Sequence, residues 1–78
     1  MPDRSGLAQR LATKAIALAR SRVQAQHAAV VLRGFARGDA VALELARARC
    51  LAAVDQHPAD RAARDAVDLL SAALSDRS

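Results

Sequence analysis

Residues 32–45 read LRGFARGDAVALEL, and this stretch decides how the chain folds. It places Gly34 and Gly38 inside a sequence that is otherwise rich in helix-forming residues. Aspartate is a preferred helix N-cap, and glycine is preferred where a helix ends in the left-handed conformation. Gly38–Asp39 is therefore predicted to be a corner between two helices. This corner explains the Arg37-Gly38-Asp39 tripeptide better than an adhesion motif does.

The residues before the corner show the periodicity of one long amphipathic helix. We predict that it runs from about residue 5 to 37, with Asp3 or Ser5 as its N-cap. At about 100° per residue, apolar side chains cover roughly half of the helix circumference, with alanine at the centre of the arc. We expect the larger side chains of this arc to form an interface: Leu7, Leu11, Ile16, Leu18, Val23 and Val30.

Two shorter helices are predicted after the corner, over residues 39–56 and 58–74. The helix over 39–56 carries two apolar stripes, which is typical of a helix packed between neighbours. One stripe is Val41, Leu45, Ala48 and Ala52, and the other is Leu43, Ala46, Cys50, Ala53 and Val54. Pro58 is predicted to lie in the first turn of the last helix, where proline is favoured.

These elements predict an all-α fold, a small antiparallel bundle of three helices in one domain over residues 1–78. A first helix of about 32 residues would reach roughly 48 Å, about twice the length of the others. Either it breaks within residues 21–27, which gives four helices, or a second molecule covers the overhang. We expect the second outcome, a homodimer.

The composition favours association, because the chain has little material for a core. It has 78 residues, and although 53% are hydrophobic, Phe35 is the only aromatic residue. Leu, Ile, Val and Phe together supply 18 residues, and small domains bury a modest share of their surface. The net charge of +4 divides into +6 over residues 1–38 and −2 over residues 39–78. Such halves could bind an anionic partner or pair head to tail.

A second hypothesis is a small basic regulator that binds DNA or RNA. Its candidate phosphate contacts are Arg10, Lys14, Arg20 and Arg22. Arginine and lysine bind phosphate with an affinity that falls with salt. These side chains are spread around the predicted helix, however, and only Phe35 could stack on a base. Nucleic-acid binding is therefore the alternative.

No pattern indicates catalysis, a metal or a cofactor. His27 and His57 lie far apart, and Cys50 lies within an apolar stripe, away from a helix N-terminus that would activate a thiol. Asp65 and Asp68 have arginines at helical spacing, which explains them as a solvated face. One cysteine excludes an internal disulfide. We expect that the protein is not an enzyme. Because the sequence has neither an apolar span nor a signal core, we also expect it to be cytoplasmic and without membrane contact.

One resemblance supports an interaction role. Gly38, Asp39, Ala46, Ala53 and Pro58 lie in a pattern that resembles a single tetratricopeptide-type helical hairpin over residues 27–74. The resemblance implies protein binding rather than catalysis. We therefore predict a non-enzymatic module for protein–protein interaction or dimerisation, an adaptor or regulator. Its partner would be a second copy or another helical protein.

Overall fold

Four α-helices form the chain in the computed structural model, which describes residues 4–75. They are α1 (Arg4–Arg20), α2 (Ala25–Phe35), α3 (Ala40–Gln56) and α4 (Arg61–Ser75). No strand occurs in these residues, so the prediction of an all-α bundle is confirmed. α1 already includes Ser5, which is therefore not its N-cap. The alternative cap Asp3 and residues 76–78 lie outside the described residues.

The prediction of one helix over residues 5–37 is wrong, because the chain turns between α1 and α2. Arg22 adopts a left-handed conformation with a φ of 55°. The amide of Arg22 donates to the carbonyl of Ala19 at 3.1 Å, and that of Val23 donates to the carbonyl of Leu18 at 3.2 Å. This pair of hydrogen bonds is a Schellman motif, which satisfies carbonyl groups at the end of a helix.

The turn removes the overhang that a continuous helix would create. Val23 and Leu18, which are joined by the second of these hydrogen bonds, both pack against the core. The folded chain has a radius of gyration of 11.3 Å, close to the value of about 11.5 Å expected for a compact chain of this length. The break that we weighed within residues 21–27 is thus the arrangement observed, and helix length no longer argues for a dimer.

The corner at Gly38–Asp39 is confirmed. One carboxylate oxygen of Asp39 accepts hydrogen bonds from the amides of Val41 at 3.1 Å and Ala42 at 3.2 Å, which caps α3. The helix before it ends differently from the prediction. Arg37 is the first left-handed residue, with a φ of 54°, and Gly38 follows with a φ of 76°.

α4 begins three residues later than the predicted start at Pro58. The amide of Asp60 donates to the carbonyl of His57 at 2.9 Å, so Pro58 lies in a turn. Asp60 then accepts a hydrogen bond from the amide of Ala63 at 3.3 Å. Because aspartate is a strong N-cap and proline suits the second position of a turn, this arrangement satisfies both residues.

α1 and α4 each contact all three other helices. α3 packs against α1 and α4, whereas α2 packs mainly against α4. The helix over 39–56 therefore has two neighbours, as a helix packed between others would, but its stripe of Val41, Leu45, Ala48 and Ala52 is exposed, so the prediction that it is packed on both sides is wrong. α2 and α3 barely touch, although a tetratricopeptide-type hairpin packs its two helices together. The resemblance over residues 27–74 thus does not describe how these helices are arranged.

Alanine makes up most of the core, so the helices pack with few large side chains between them. The largest fully buried side chains are Leu11, Leu32, Leu70 and Cys50. Every residue in the buried core is apolar, with no buried polar side chain among the described residues. The core therefore gives the fold its stability through close packing of small side chains.

Candidate interaction surface

The outward face of α3 carries an apolar line that nothing in the bundle covers. We call Val41, Leu45, Ala48 and Ala52 the α3 stripe. Val41 is 48% exposed and Leu45 is 42% exposed, and both alanines are also exposed. Residues spaced by four, three and four positions share one face of a helix. Half-exposed valine and leucine on one line form a continuous apolar surface.

The opposite face of α3 explains why this stripe is left uncovered. The residues buried there are Ala42, Leu43, Ala46 and Cys50. α1 and α4 both pack on this inner side. The sequence correctly shows two apolar stripes on α3, but within residues 4–75 only the inner stripe has neighbours.

Charged residues flank the α3 stripe with opposite signs. At about 100° per residue, Glu44 lies roughly 70° to one side of the stripe and Arg49 roughly 70° to the other. Leu51, 47% exposed, lies on the same side of the stripe as Glu44, about two turns further along α3, and widens the apolar surface. Asp55 occupies the next position in line after Ala52 and ends the stripe.

Arg49 is held in place by α1. One guanidinium nitrogen, Nη1, donates to Oε1 of Gln9 at 3.0 Å, and Nη2 donates to the hydroxyl of Ser5 at 3.0 Å. Both hydrogen bonds lie at the exposed surface. The positive flank of the stripe is therefore a positioned side chain, whereas Glu44 forms no ion pair within residues 4–75.

Asp39 joins the beginning of α3 to the beginning of α1. Its second carboxylate oxygen accepts a hydrogen bond from Nε of Arg4 at 3.0 Å. This hydrogen bond from Arg4, followed by that from the amide of Ala42, lowers the pKa of Asp39. The carboxylate is thus committed to capping and to an ion pair, which agrees with the corner interpretation of Arg37-Gly38-Asp39.

Most of the side chains that the sequence predicts to form an interface pack inside the bundle of the chain itself. Leu11 is fully buried, and four further members pack half-buried against the core: Leu7, Ile16, Leu18 and Val23. Val30 alone is well exposed, at 56%, on α2. Contact with a partner through these six residues stays a prediction, but five of the side chains already have neighbours in the bundle.

Of the predicted phosphate contacts, Lys14 and Arg10 lie on α1. The ammonium group of Lys14 lies over the ring of Phe35, 5.5 Å from its centroid. This is a cation–π contact, which stabilises the ammonium group where it is. Arg10 is exposed. Phe35, the only base-stacking candidate, is therefore already in contact with one of the basic residues.

Arg20 is the last residue of α1, and Arg22 lies in the turn that follows it. They border an open groove of about 690 Å³ whose other wall is α4. That wall carries Asp65 and Asp68 together with Arg61. Carboxylates facing the arginines would repel a phosphate chain, so the groove does not form a uniformly basic surface.

The residues considered for catalysis or metal binding remain dispersed. Cys50 is buried, and burial raises the pKa of its thiol, the opposite of activation. His27 and His57 are exposed on different elements. Over residues 4–75, no group of three or more His, Cys, Asp or Glu side chains lies close enough to hold a metal ion.

No helix within residues 4–75 combines the length and apolar character needed to cross a bilayer. Comparison with known proteins gave no match to a family model, to a curated protein or to a solved structure.

Proposed function

We propose that the chain is a non-enzymatic dimerisation module that acts in the cytoplasm as an adaptor or regulator. The observation that carries this proposal is the exposed α3 stripe. An apolar line on a helix is a common basis for helix–helix association between chains. The same surface would also suit another helical protein, and we propose a second copy of the chain as the partner.

The size of the surface sets the expected strength of the dimer. Fully burying a valine or leucine contributes about 1.5–3 kcal/mol, and Val41, Leu45 and Leu51 are each about half exposed. Association costs at least about 4 kcal/mol in lost freedom. A contact along one helix face is also smaller than a standard stable interface. We therefore expect a weak dimer, with a dissociation constant in the micromolar range or above.

The alternative, binding to DNA or RNA, has less support from the arrangement of the basic residues. Lys14 is in contact with Phe35. Arg20 and Arg22 face a wall that includes aspartates. Phosphate contacts need several cations aligned on one surface, and these side chains fall into separate places.

Sedimentation equilibrium, read by interference because the chain has no Trp or Tyr, tests the proposal. The wild-type mass should rise with concentration from 8.2 kDa towards twice that value. Leu45→Glu should remain at the monomer mass, because it places a charge in the α3 stripe. Val30→Glu is the matched control, since it puts the same charge on an exposed site of α2, and it should behave as the wild type.

Circular dichroism should show that both variants keep their helix content. A wild-type chain that stays at 8.2 kDa up to millimolar concentration would remove the proposal. A dimer that Leu45→Glu leaves intact while Val30→Glu splits it would place the contact on α2 instead, and would equally rule out the α3 stripe.

A further inference from the structure

The spacing of the α3 stripe matches the seam of a two-stranded coiled coil. A seam repeats every seven residues, with apolar side chains at the first and fourth positions, called a and d. Leu45 and Ala52 occupy a, and Val41 and Ala48 occupy d. The seam runs over roughly 16 Å of α3. This length is enough for two helices to pack side by side over about three turns.

The flanking charges select one orientation for a second copy. Glu44 occupies the position before a, and Arg49 occupies the position after d. In a parallel pair these two positions face each other across the seam, so Glu44 of each copy meets Arg49 of the other. In an antiparallel pair centred on the stripe, Glu44 would face Leu51, and Arg49 would face Ala42. Only the parallel arrangement pairs the charges.

We propose that two copies associate in parallel along the α3 stripe, with Glu44 of each copy paired to Arg49 of the other. This inference rests on the proposed dimerisation function and specifies its geometry. The pair occurs twice because of the two-fold symmetry. Flanking charges of this kind set partner choice and orientation more than they set affinity.

The structure of the single chain is compatible with this arrangement. The inner face of α3 is packed on α1 and α4, and the α3 stripe on the outer face is exposed. Ala48 and Ala52 are small and let the two α3 helices come close. Arg49 is already positioned by Gln9 and Ser5, and a guanidinium group has five N–H donors, so further donors remain for a carboxylate.

Asp55 limits the length of the seam. It occupies the next d position, near the end of α3, where two copies in parallel would bring like charges together. The seam therefore ends at Ala52, which agrees with a weak dimer rather than an extended coiled coil.

Charge exchange tests the pairing. A chain with Glu44→Arg carries arginine on both flanks, and a chain with Arg49→Glu carries glutamate on both. Each variant alone should dimerise about tenfold more weakly than the wild type, because like charges then face each other. An equimolar mixture should recover association, measured by sedimentation equilibrium. The double variant Glu44→Arg/Arg49→Glu should recover self-association.

Disulfide trapping tests the orientation. With Ala52→Cys, a parallel dimer places the two introduced thiols opposite each other, so oxidation should give a covalent dimer. In an antiparallel dimer they would be separated by about 16 Å along the axis, beyond the reach of a disulfide, which needs Cα atoms within about 7 Å. The wild-type chain is the control, since its Cys50 is only 1% exposed.

The two levels of the proposal can fail separately. A wild-type chain that never dimerises removes the proposed function and this geometry together. A dimer that Leu45→Glu splits, but that does not crosslink through Ala52→Cys, keeps the function and removes the parallel arrangement. In a mixture of Val41→Cys and Ala52→Cys chains, crosslinks that join one variant to the other, with none between two chains of the same variant, would show the antiparallel alternative.

Discussion

At the scale of single residues, Gly34 and Gly38 look alike in the sequence but have opposite roles. Gly34 lies within α2, and a methyl group added there would meet nothing within 4 Å. Gly38 also has open space around it, but its φ is 76°. The helix favours alanine at Gly34, whereas the left-handed backbone disfavours it at Gly38.

We expect Gly34→Ala to raise the free energy of unfolding by about 0.5–1 kcal/mol. Gly38→Ala should lower it by about 1 kcal/mol or more. Urea unfolding followed by circular dichroism measures both, and each variant is the control for the other. Shifts of the same sign would show that the backbone at one of the two sites differs from the structure described here.

Asp39 provides a prediction for acid pH. Its hydrogen bond from Arg4 holds its pKa below the ordinary value of 3.8. A carboxyl group whose pKa is lower in the folded state stabilises the fold above its unfolded pKa, and this contribution is lost as the pH falls through the folded pKa. Asp39→Asn keeps a good N-cap but removes the charge.

The wild type should therefore be more stable than Asp39→Asn at pH 7, and the difference should shrink as the pH falls below about 4. Urea midpoints between pH 7 and 2.5 measure this difference. A gap of constant size across this range would mean that the ionised carboxylate contributes nothing specific at this site.

At the scale of the helices, a helix end could be predicted from the sequence only where neighbouring residues determine it. The cap at Asp39 was predictable, because an aspartate after a glycine acts through its own backbone neighbours. The end of α1 was not, because residues 20–24 contain neither glycine nor proline and the apolar arc continues through them. Arg22 adopts a left-handed conformation that arginine rarely takes, and packing of Leu18 and Val23 on the core accompanies it.

This turn gives a prediction with an internal control. Arg22→Gly should raise the free energy of unfolding by about 0.5–1 kcal/mol, because glycine adopts the left-handed conformation without strain. Arg20→Gly, at the last helical residue of α1, should lower it by a similar amount. Thermal unfolding at matched concentration compares the two. Destabilisation by Arg22→Gly would argue for a continuous helix through this region.

α3 shows a second limit of sequence patterns. The pattern identified both of its apolar stripes, but a helix wheel gives the faces of a helix and not its neighbours. The inner stripe became core because α1 and α4 share that side. α4 contacts α1, α2 and α3, and α1 likewise contacts all three other helices. Which face is covered is decided by the arrangement of the whole bundle.

At the scale of the whole molecule, the position of the break in the first helix determines where apolar surface remains. A continuous helix would have left part of its apolar arc bare. Because the chain turns after Arg20, Leu11 is fully buried and Leu18 and Val23 pack against the core. The all-α class and the presence of surplus apolar surface were predictable from the sequence. The location of that surface was not, because it depends on contacts between distant residues.

Methyl NMR spectra over a dilution series test most directly whether the α3 stripe is the contact surface between copies. The methyl resonances of Val41 and Leu45 should shift or broaden as the concentration rises. Those of Val30, on α2, and of Leu18 and Val23, which pack on the core, should stay fixed. Concentration-dependent shifts confined to Leu18, Val23 or Val30, or no shift at any of these methyl groups, would contradict the assignment of the interface to α3.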